Sequence, residues 1–125
     1  MKGGHRRAWL AVGAWAAFQL TLTSLPGSAL PGVSNGLDKV AHFCLYGLLG
    51  VLLARVGLLQ VWRRGGWIAA LAGVLVMAAL DEWHQALVPG RSTELADWIS
   101  DAAGTATGLV AGRLLGRRWA KVWLR

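Results

Sequence analysis

Three side chains suited to acid–base chemistry or metal binding recur every four residues in one segment of the sequence. They are Asp38, His42 and Tyr46. This spacing places them on one face of a helix. A carboxylate one turn before an imidazole can hold the ring in a single tautomer, as either a general base or a metal ligand requires. A simple hydrogen bond between helices explains the same pattern equally well, so both interpretations stay open.

The stretch DEWHQALVPGR carries a second set of polar side chains at helical spacing. Asp81, Glu82 and Gln85 fall within about 100° of arc on a helix, whereas Trp83 points away from that face. An apolar run suited to a membrane precedes them in the same predicted helix. Polar groups on one face of such a helix are expected to face the other helices and not the lipid.

A third helix face combines carboxylates with glycines. In chain order it carries Glu94, Asp97, Asp101, Gly104, Gly108 and Gly112. Small residues at four-residue spacing let a neighbouring backbone approach closely, so this face is predicted to pack inward. The carboxylates on the same face should then also point into the bundle.

These faces belong to apolar segments, each long enough to cross a bilayer core of about 30 Å. The segments run from about 8 to 25, 40 to 59, 67 to 88 and 95 to 115. The 125 residues are 55% hydrophobic and 15% charged, which is more apolar than an ordinary soluble domain. We predict one all-α domain over residues 1–125, an integral membrane four-helix bundle. The first segment also resembles a cleaved signal peptide, but its apolar run is longer than the usual ~7 to 15 residues, which favours a retained helix.

Basic and acidic residues divide between the two ends of these helices. Eleven of the 13 basic residues precede the first segment, end or follow the second, or close the chain, whereas all six acidic residues lie towards the other end. The positive-inside rule places the basic end, with both termini, in the cytoplasm. Five tryptophans are expected at that interface: Trp9, Trp62, Trp67, Trp119 and Trp123. Short basic blocks between apolar segments also argue against a nucleic-acid partner.

Charge inside the acidic half of the bundle needs partners. Glu82 and Asp101 lie about six residues, or roughly 9 Å, from the ends of their helices. An unpartnered charge at a helix centre costs about 2.5 to 3.5 kcal/mol. Lys39, His42 and Arg91 are the available counter-charges; otherwise the carboxylates must bind a cation or keep protons. Arg91 follows Gly90 in a short loop and is expected to clamp a carboxylate or an incoming anionic group.

The predicted ligand-binding site joins the three faces. It comprises Asp38, Lys39, His42, Tyr46, Glu82, Gln85, Arg91, Asp97 and Asp101. The candidates for acid–base catalysis are His42, Glu82, Asp97 and Asp101. These four side chains have the right atoms for a divalent metal. Their spacing in the sequence matches no established metal-binding motif, so no cofactor is predicted and a divalent metal stays an open alternative. The catalytic and metal-binding residues therefore stay unassigned.

Two segments resemble the VanZ-like family of small bacterial membrane proteins. They are DKVAHFCLYGLLG and DEWHQALVPGRSTELADWISDAAGTATG. Polar residue types, spacing and order agree across three helices, from about residue 38 to residue 112. One departure is Asp101, where the family usually has asparagine. The extra carboxylate favours cation binding or proton sharing in this chain.

The resemblance adds an expectation about function. The family is named for a protein linked to resistance to teicoplanin, a lipid-tailed glycopeptide that acts at the outer face of the cytoplasmic membrane. An outward-facing polar pocket suits that location. The convergence of the polar residues on one side and the charge distribution then predict a multi-pass protein of the bacterial cytoplasmic (inner) membrane, whose pocket recognises a polar, lipid-linked or glycopeptide ligand of the cell envelope. Two alternatives stay open. One is an intramembrane hydrolase that uses a metal or acid–base groups, and the other is a structural scaffold, in which the cluster joins helices or the copies of a homo-oligomer.

Overall fold

The computed structural model of the protein describes residues 2–29 and 35–123. Its four α-helices are α1 (Lys2–Ser24), α2 (Asn35–Leu59), α3 (Arg64–Gln85) and α4 (Leu95–Trp123). One turn of 3-10 helix, Gly27–Ala29, follows α1. Every regular element in the described part of the chain is helical, which confirms the all-α prediction. The predicted interfacial positions of Trp119 and Trp123 lie outside the side chains that the structure describes.

The helices differ from the predicted segments mainly at their ends. α1 begins at Lys2 and α4 continues to Trp123, because basic residues are good helix formers and extend both helices beyond their apolar parts. α3 ends at Gln85, earlier than predicted, because the chain tightens into a turn in which the Val88 amide donates to the Gln85 carbonyl at 3.0 Å. Gly90 follows with φ of +74°, a left-handed conformation that glycine adopts without strain.

α2 and α4 pack against each other along their small residues. Gly104 lies against the backbone of Phe43, and Gly108 lies against the carbonyl of Gly47. A Cβ atom on either α4 glycine would overlap the α2 backbone. The prediction that the glycine face of the fourth helix packs inward is therefore confirmed.

The apolar side chains divide between a small core and a large exposed surface. The buried core consists of Tyr46, Leu49, Leu53, Ala54, Val74, Ala78 and Leu109. On α3, Val76, Leu80 and Trp83 are exposed, Trp83 by 66%, so the outward orientation predicted for Trp83 is confirmed. An apolar surface of this kind is typical of a protein that contacts a membrane or a partner.

Two of the helices are long and apolar enough to cross a membrane. They are α2, over Gly36–Leu59, and α3, over Arg64–Gln85. Among the described helices, α1 and α4 do not meet this criterion of length and composition, because both contain more polar and small residues. Two of the four predicted spans therefore have this support, and the other two stay predictions.

The two ends of the bundle differ in their chemistry. At the basic end, the Trp62 ring lies 6.4 Å from that of Trp9 and 5.7 Å from that of Trp67. The Arg113 guanidinium lies 4.9 Å from the centroid of the Trp67 ring, which is a favourable cation–π distance. The opposite end, where α2 begins and α3 ends, holds the acidic side chains.

Replacement of Gly108 by leucine is expected to disrupt the packing of α2 on α4. The new side chain would overlap the carbonyl of Gly47, and overpacking typically costs about 1 to 3 kcal/mol. We expect a lower thermal midpoint for the detergent-solubilised protein. Gly73→Leu on α3 is the matched control, since nothing lies within 4 Å of a Cβ atom there, and it should keep or raise the midpoint. Equal midpoints for the two variants would contradict the packing argument.

Candidate functional site

His42 lies at the centre of a polar cluster at the acidic end of the bundle. Its Nδ1 is 2.8 Å from Asp101 Oδ1 on α4 and 3.8 Å from Glu82 Oε1 on α3, and its Nε2 is 3.9 Å from Asp38 Oδ1. The carboxylate in hydrogen-bond contact is therefore Asp101 and not Asp38, the partner suggested by the four-residue spacing. The short aspartate reaches the ring because Gly104, less than one turn later, lets the two backbones approach.

Lys39 pairs with the two outer carboxylates of α4. Its Nζ lies 3.0 Å from Glu94 Oε2 and 3.2 Å from Asp97 Oδ1. Glu94 is exposed, whereas Asp97 is buried, so the contact with Asp97 is the better protected from water. One lysine therefore supplies one positive charge for two carboxylates. Its ammonium group forms no salt bridge with Glu82 or Asp101.

Asp81 connects three helices through two hydroxyl groups. Its Oδ1 accepts a hydrogen bond from Thr23 Oγ1 on α1 at 2.7 Å, and its Oδ2 accepts one from the Tyr46 hydroxyl on α2 at 3.2 Å. All three side chains are buried. Both oxygens of Asp81 therefore have partners. The Tyr46 hydroxyl already donates its proton to Asp81, so a ligand at the predicted site would meet this hydroxyl as an acceptor.

Arg91 reaches the end of α1. Its Nη2 donates to the Leu22 carbonyl at 2.8 Å and its Nε donates to the Leu25 carbonyl at 3.1 Å. Carbonyls at a helix C-terminus lack donors within the helix and carry partial negative charge, so a guanidinium is well placed there. The loop is held to the same end of α1 by the Gly27 amide, which donates to the Pro89 carbonyl at 3.1 Å. Within the described residues, Arg91 thus contacts backbone oxygens and not a carboxylate of the cluster, and its predicted contact with an incoming anionic group stays a prediction.

Five buried polar atoms have no hydrogen-bond partner in the described part of the chain. They are Gln19 Oε1, Glu82 Oε1, Glu82 Oε2, Gln85 Nε2 and Asp101 Oδ2. An unpaired buried group costs about 1 to 3 kcal/mol, and more when it is charged. Such atoms are uncommon in folded proteins, so each is a candidate to contact a bound ligand or ion.

Two of these atoms belong to residues that border one cavity, which we call the polar cavity. It has a volume of about 230 Å³. Its lining consists of Gln19, Leu22, Thr23, Asp38, Ala41, His42, Leu45, Tyr46, Gln85 and Arg91. Five of the nine predicted ligand-binding residues are in this lining, whereas Lys39, Glu82, Asp97 and Asp101 are not.

A larger cavity adjoins the polar cavity, and we call it the apolar groove. It has a volume of about 490 Å³ and lies between α1 and α3. Its lining consists of Ala16, Ala17, Gln19, Leu20, Tyr46, Met77, Leu80, Asp81, Trp83 and His84. Gln19 and Tyr46 border both spaces, so the two cavities are neighbours.

Two side chains of α1, Gln19 and Thr23, also belong to this site, although neither is among the residues predicted from the sequence. Both are buried and face the other helices. Their four-residue spacing is the signal that would have identified them, because it places both on one helix face.

Two groups of side chains have ligand atoms close enough together for a metal ion. They are Asp38, His42 and Asp97, and His42, Glu82 and Asp101. In each group the ligand atoms lie within 4.8 Å of one another. The catalytic candidates His42, Glu82, Asp97 and Asp101 all occur in these groups, which brings them together in space but leaves their role a prediction.

Thr23→Val is expected to destabilise the protein by about 1 to 3 kcal/mol, because it removes a buried donor and leaves Asp81 Oδ1 unpaired. A thermal unfolding series in detergent would measure this loss. Thr21→Val is the matched control, since Thr21 is exposed and bonds only to the Ala17 carbonyl of its own helix. If both variants unfold at the wild-type temperature, the hydrogen bond between Thr23 and Asp81 does not contribute to the stability of the protein.

Most of the chain matches one protein family. The VanZ/LLP1 family model matches residues 6–116, which confirms the resemblance seen in the two polar segments. No curated protein and no solved structure matches the chain. The family match and the two apolar helices α2 and α3 indicate a membrane protein. Since the match spans most of the 125 residues, the chain belongs to the VanZ/LLP1 family.

Proposed function

We propose that this protein is a four-span protein of the bacterial cytoplasmic membrane that binds a lipid-linked ligand of the cell envelope in its outer leaflet. One observation carries the proposal: the polar cavity, with an unpaired acceptor and an unpaired donor in its lining residues, adjoins the apolar groove. A lipid-linked molecule has the matching division into a polar head and a hydrocarbon chain.

The residues that line the polar cavity carry unpaired groups of both hydrogen-bonding types. Gln19 Oε1 can accept a hydrogen bond and Gln85 Nε2 can donate one, which suits a hydroxyl or amide group of a ligand. Arg91 uses only some of its five N–H donors on α1, so the others can meet a phosphate or carboxylate at the cavity edge. The cavity therefore favours a head group with an anionic part and a neutral polar part.

The apolar groove suits a hydrocarbon chain. The side chains of Leu20, Met77 and Leu80 supply apolar surface along it, and burial of apolar surface favours association in proportion to the area covered. A groove between two helices on the side of the bundle is also reached from the bilayer without passage through water. This position supports a ligand that arrives within the membrane.

The charge distribution supports the orientation of the site. Eleven of the 13 basic residues gather at one end of the helices and all six acidic residues lie at the other, and the positive-inside rule then favours a cytoplasmic position for both termini. In that orientation the polar cavity opens at the outer face. The family resemblance extends the proposal to a link with resistance to lipid-tailed glycopeptides such as teicoplanin.

Cysteine labelling tests the orientation. In a Cys44→Ser background, Ser92→Cys lies in the α3–α4 loop and Gln60→Cys lies between α2 and α3, and both positions are exposed. A membrane-impermeant maleimide added to intact cells is expected to label residue 92 and to label residue 60 only after the membrane is opened. Labelling of residue 60 in intact cells would reverse the orientation and remove the site from the outer leaflet.

Native mass spectrometry of the protein released from bacterial membranes tests the ligand. We expect a co-purifying lipid-linked molecule on the wild type, with occupancy about tenfold lower in Gln85→Leu, since one buried hydrogen bond is worth about that factor. Gln60→Leu, at the other end of the bundle, is the control and should retain the ligand. The same variants can be scored for teicoplanin sensitivity. Equal occupancy in all three proteins would contradict the proposal.

An intramembrane hydrolase is the second candidate, and the His42–Asp101 contact favours it. When Nδ1 donates to Asp101 Oδ1, Nε2 is left as an acceptor on the side of Asp38, where it could remove a proton from water. Neither a hydroxyl nor a thiol is hydrogen-bonded to His42 among the residues that the structure describes, so water would be the nucleophile.

A purely structural role fits the cluster less well. Side chains that only join helices gain stability by pairing their polar atoms, as Asp81 does with Thr23 and Tyr46. Glu82 does the opposite, because both of its buried oxygens are unpaired, and this arrangement costs stability. Assembly of the chain into a homo-oligomer stays a prediction.

A further inference from the structure

Two carboxylates on the Nδ1 side of His42 have fewer partners than their burial requires. Asp101 has a side chain that is only 1% exposed, and its Oδ2 is unpaired. The Glu82 side chain is 12% exposed, and neither of its oxygens has a hydrogen-bond partner among the described residues. Among the side chains that the structure describes, His42 is the only basic one within 4.0 Å of either carboxylate.

We propose that His42, Glu82 and Asp101 bind a divalent transition-metal ion such as Zn²⁺ or Mn²⁺. One nitrogen and two carboxylate oxygens would coordinate it, one from each of helices α2, α3 and α4. The site stands whether or not the polar cavity holds a lipid-linked ligand, because Glu82 and Asp101 are not in the lining of that cavity and His42 would bind the ion through Nδ1, which faces these two carboxylates.

The distances suit an ion after a small adjustment. Metal–ligand bonds of about 2.0 to 2.2 Å in a tetrahedral site separate neighbouring ligand atoms by about 3.3 to 3.6 Å. His42 Nδ1 and Glu82 Oε1 are 3.8 Å apart, while His42 Nδ1 and Asp101 Oδ1 are 2.8 Å apart in a hydrogen bond. The ion would replace the proton of that hydrogen bond, and the two groups would have to move apart by roughly half an ångström.

The surroundings of the other His42 nitrogen also suit a metal ligand. A histidine that binds a metal through one nitrogen usually donates the proton on its other nitrogen to a carboxylate. Coordination by Nδ1 leaves the proton on Nε2, which lies 3.9 Å from Asp38 Oδ1. A small rotation would close this gap to a hydrogen bond. Asp38 is therefore placed to orient the ring, and not to bind the ion.

The alternative group, Asp38, His42 and Asp97, is less suitable. Asp97 Oδ1 is already 3.2 Å from the Lys39 ammonium, which would repel a cation. The Asp38 side chain is 44% exposed, so water satisfies it without an ion. The pair of Glu82 and Asp101 has neither of these alternatives, and its two negative charges match a divalent ion.

The donor set selects the kind of ion. Imidazole favours transition metals such as Zn²⁺, whereas Mg²⁺ and Ca²⁺ prefer oxygen ligands alone. Three protein ligands leave a further coordination position for water. A cavity of about 440 Å³, lined in part by Glu82, Glu94 and Trp98, offers a route by which the ion could reach Glu82 from the acidic end of the bundle.

Metal titration of the full-length protein in nanodiscs, without a histidine tag and after removal of metals by a chelator, tests the site. We expect about one Zn²⁺ or Mn²⁺ per chain by elemental analysis, since the group forms one site, and no displacement by excess Mg²⁺. Glu82→Gln and Asp101→Asn should each weaken binding by about tenfold or more. Glu94→Gln is the matched control, because Glu94 pairs with Lys39 and lines the entry route but supplies no ligand atom. A change on the route alters the rate of uptake and not the equilibrium affinity, so this variant should bind the ion as tightly as the wild type does.

Two further measurements keep the outcome clear if a variant folds poorly. Co²⁺ added to the stripped wild type should give the visible absorption of a four- or five-coordinate site, which needs no variant. The metal should also raise the thermal midpoint of the wild type but not that of Glu82→Gln, since an ion bound only by the folded state stabilises it. Absence of metal uptake by the wild type, or equal affinity in Glu82→Gln, Asp101→Asn and Glu94→Gln, would overturn the proposal.

Discussion

The close approach of α2 and α4 is the constraint on which the rest of this structure depends. Gly104 and Gly108 lie directly against the α2 backbone at Phe43 and Gly47. Because no side chain separates the two helices there, a residue as short as Asp101 can reach the imidazole of the neighbouring helix. The contact between His42 and Asp101 is thus a consequence of backbone packing, and it places two ionisable groups in hydrogen-bond contact at a buried interface.

The polar groups at this end of the bundle fall into two classes by their pairing. Asp81 and Arg91 have partners on α1 and hold that helix to the rest of the bundle. Glu82 and Gln85 follow Asp81 on the same helix, yet each has a buried atom without a partner. A neighbouring pair of carboxylates on one helix thus has opposite roles. The unpaired class costs stability, which is expected where a protein keeps groups ready for a ligand.

The sequence predicts the features that depend on a single helix. It does not predict the contacts that depend on how two helices are aligned. The period of 3.6 residues and the glycine spacing are local properties, so the helices, their inward faces and the exposed Trp83 follow from them. The partners of His42 and Arg91 do not, because they depend on the register and rotation of neighbouring helices. The role of Gln19 does not follow either, since a single amide in an apolar segment indicates no particular chemistry until its neighbours are known.

His42 is the only side chain that belongs both to the proposed metal group and to the lining of the polar cavity. Its two nitrogens have different surroundings: Nδ1 faces Asp101 and Glu82, and Nε2 lies towards Asp38. A neutral imidazole carries one proton, so the state of one nitrogen determines that of the other. An ion on Nδ1 makes Nε2 a donor, whereas a proton on Nδ1 makes Nε2 an acceptor. Occupation of the metal group would therefore change which hydrogen bond the ring can offer on the side of Asp38, which itself borders the polar cavity.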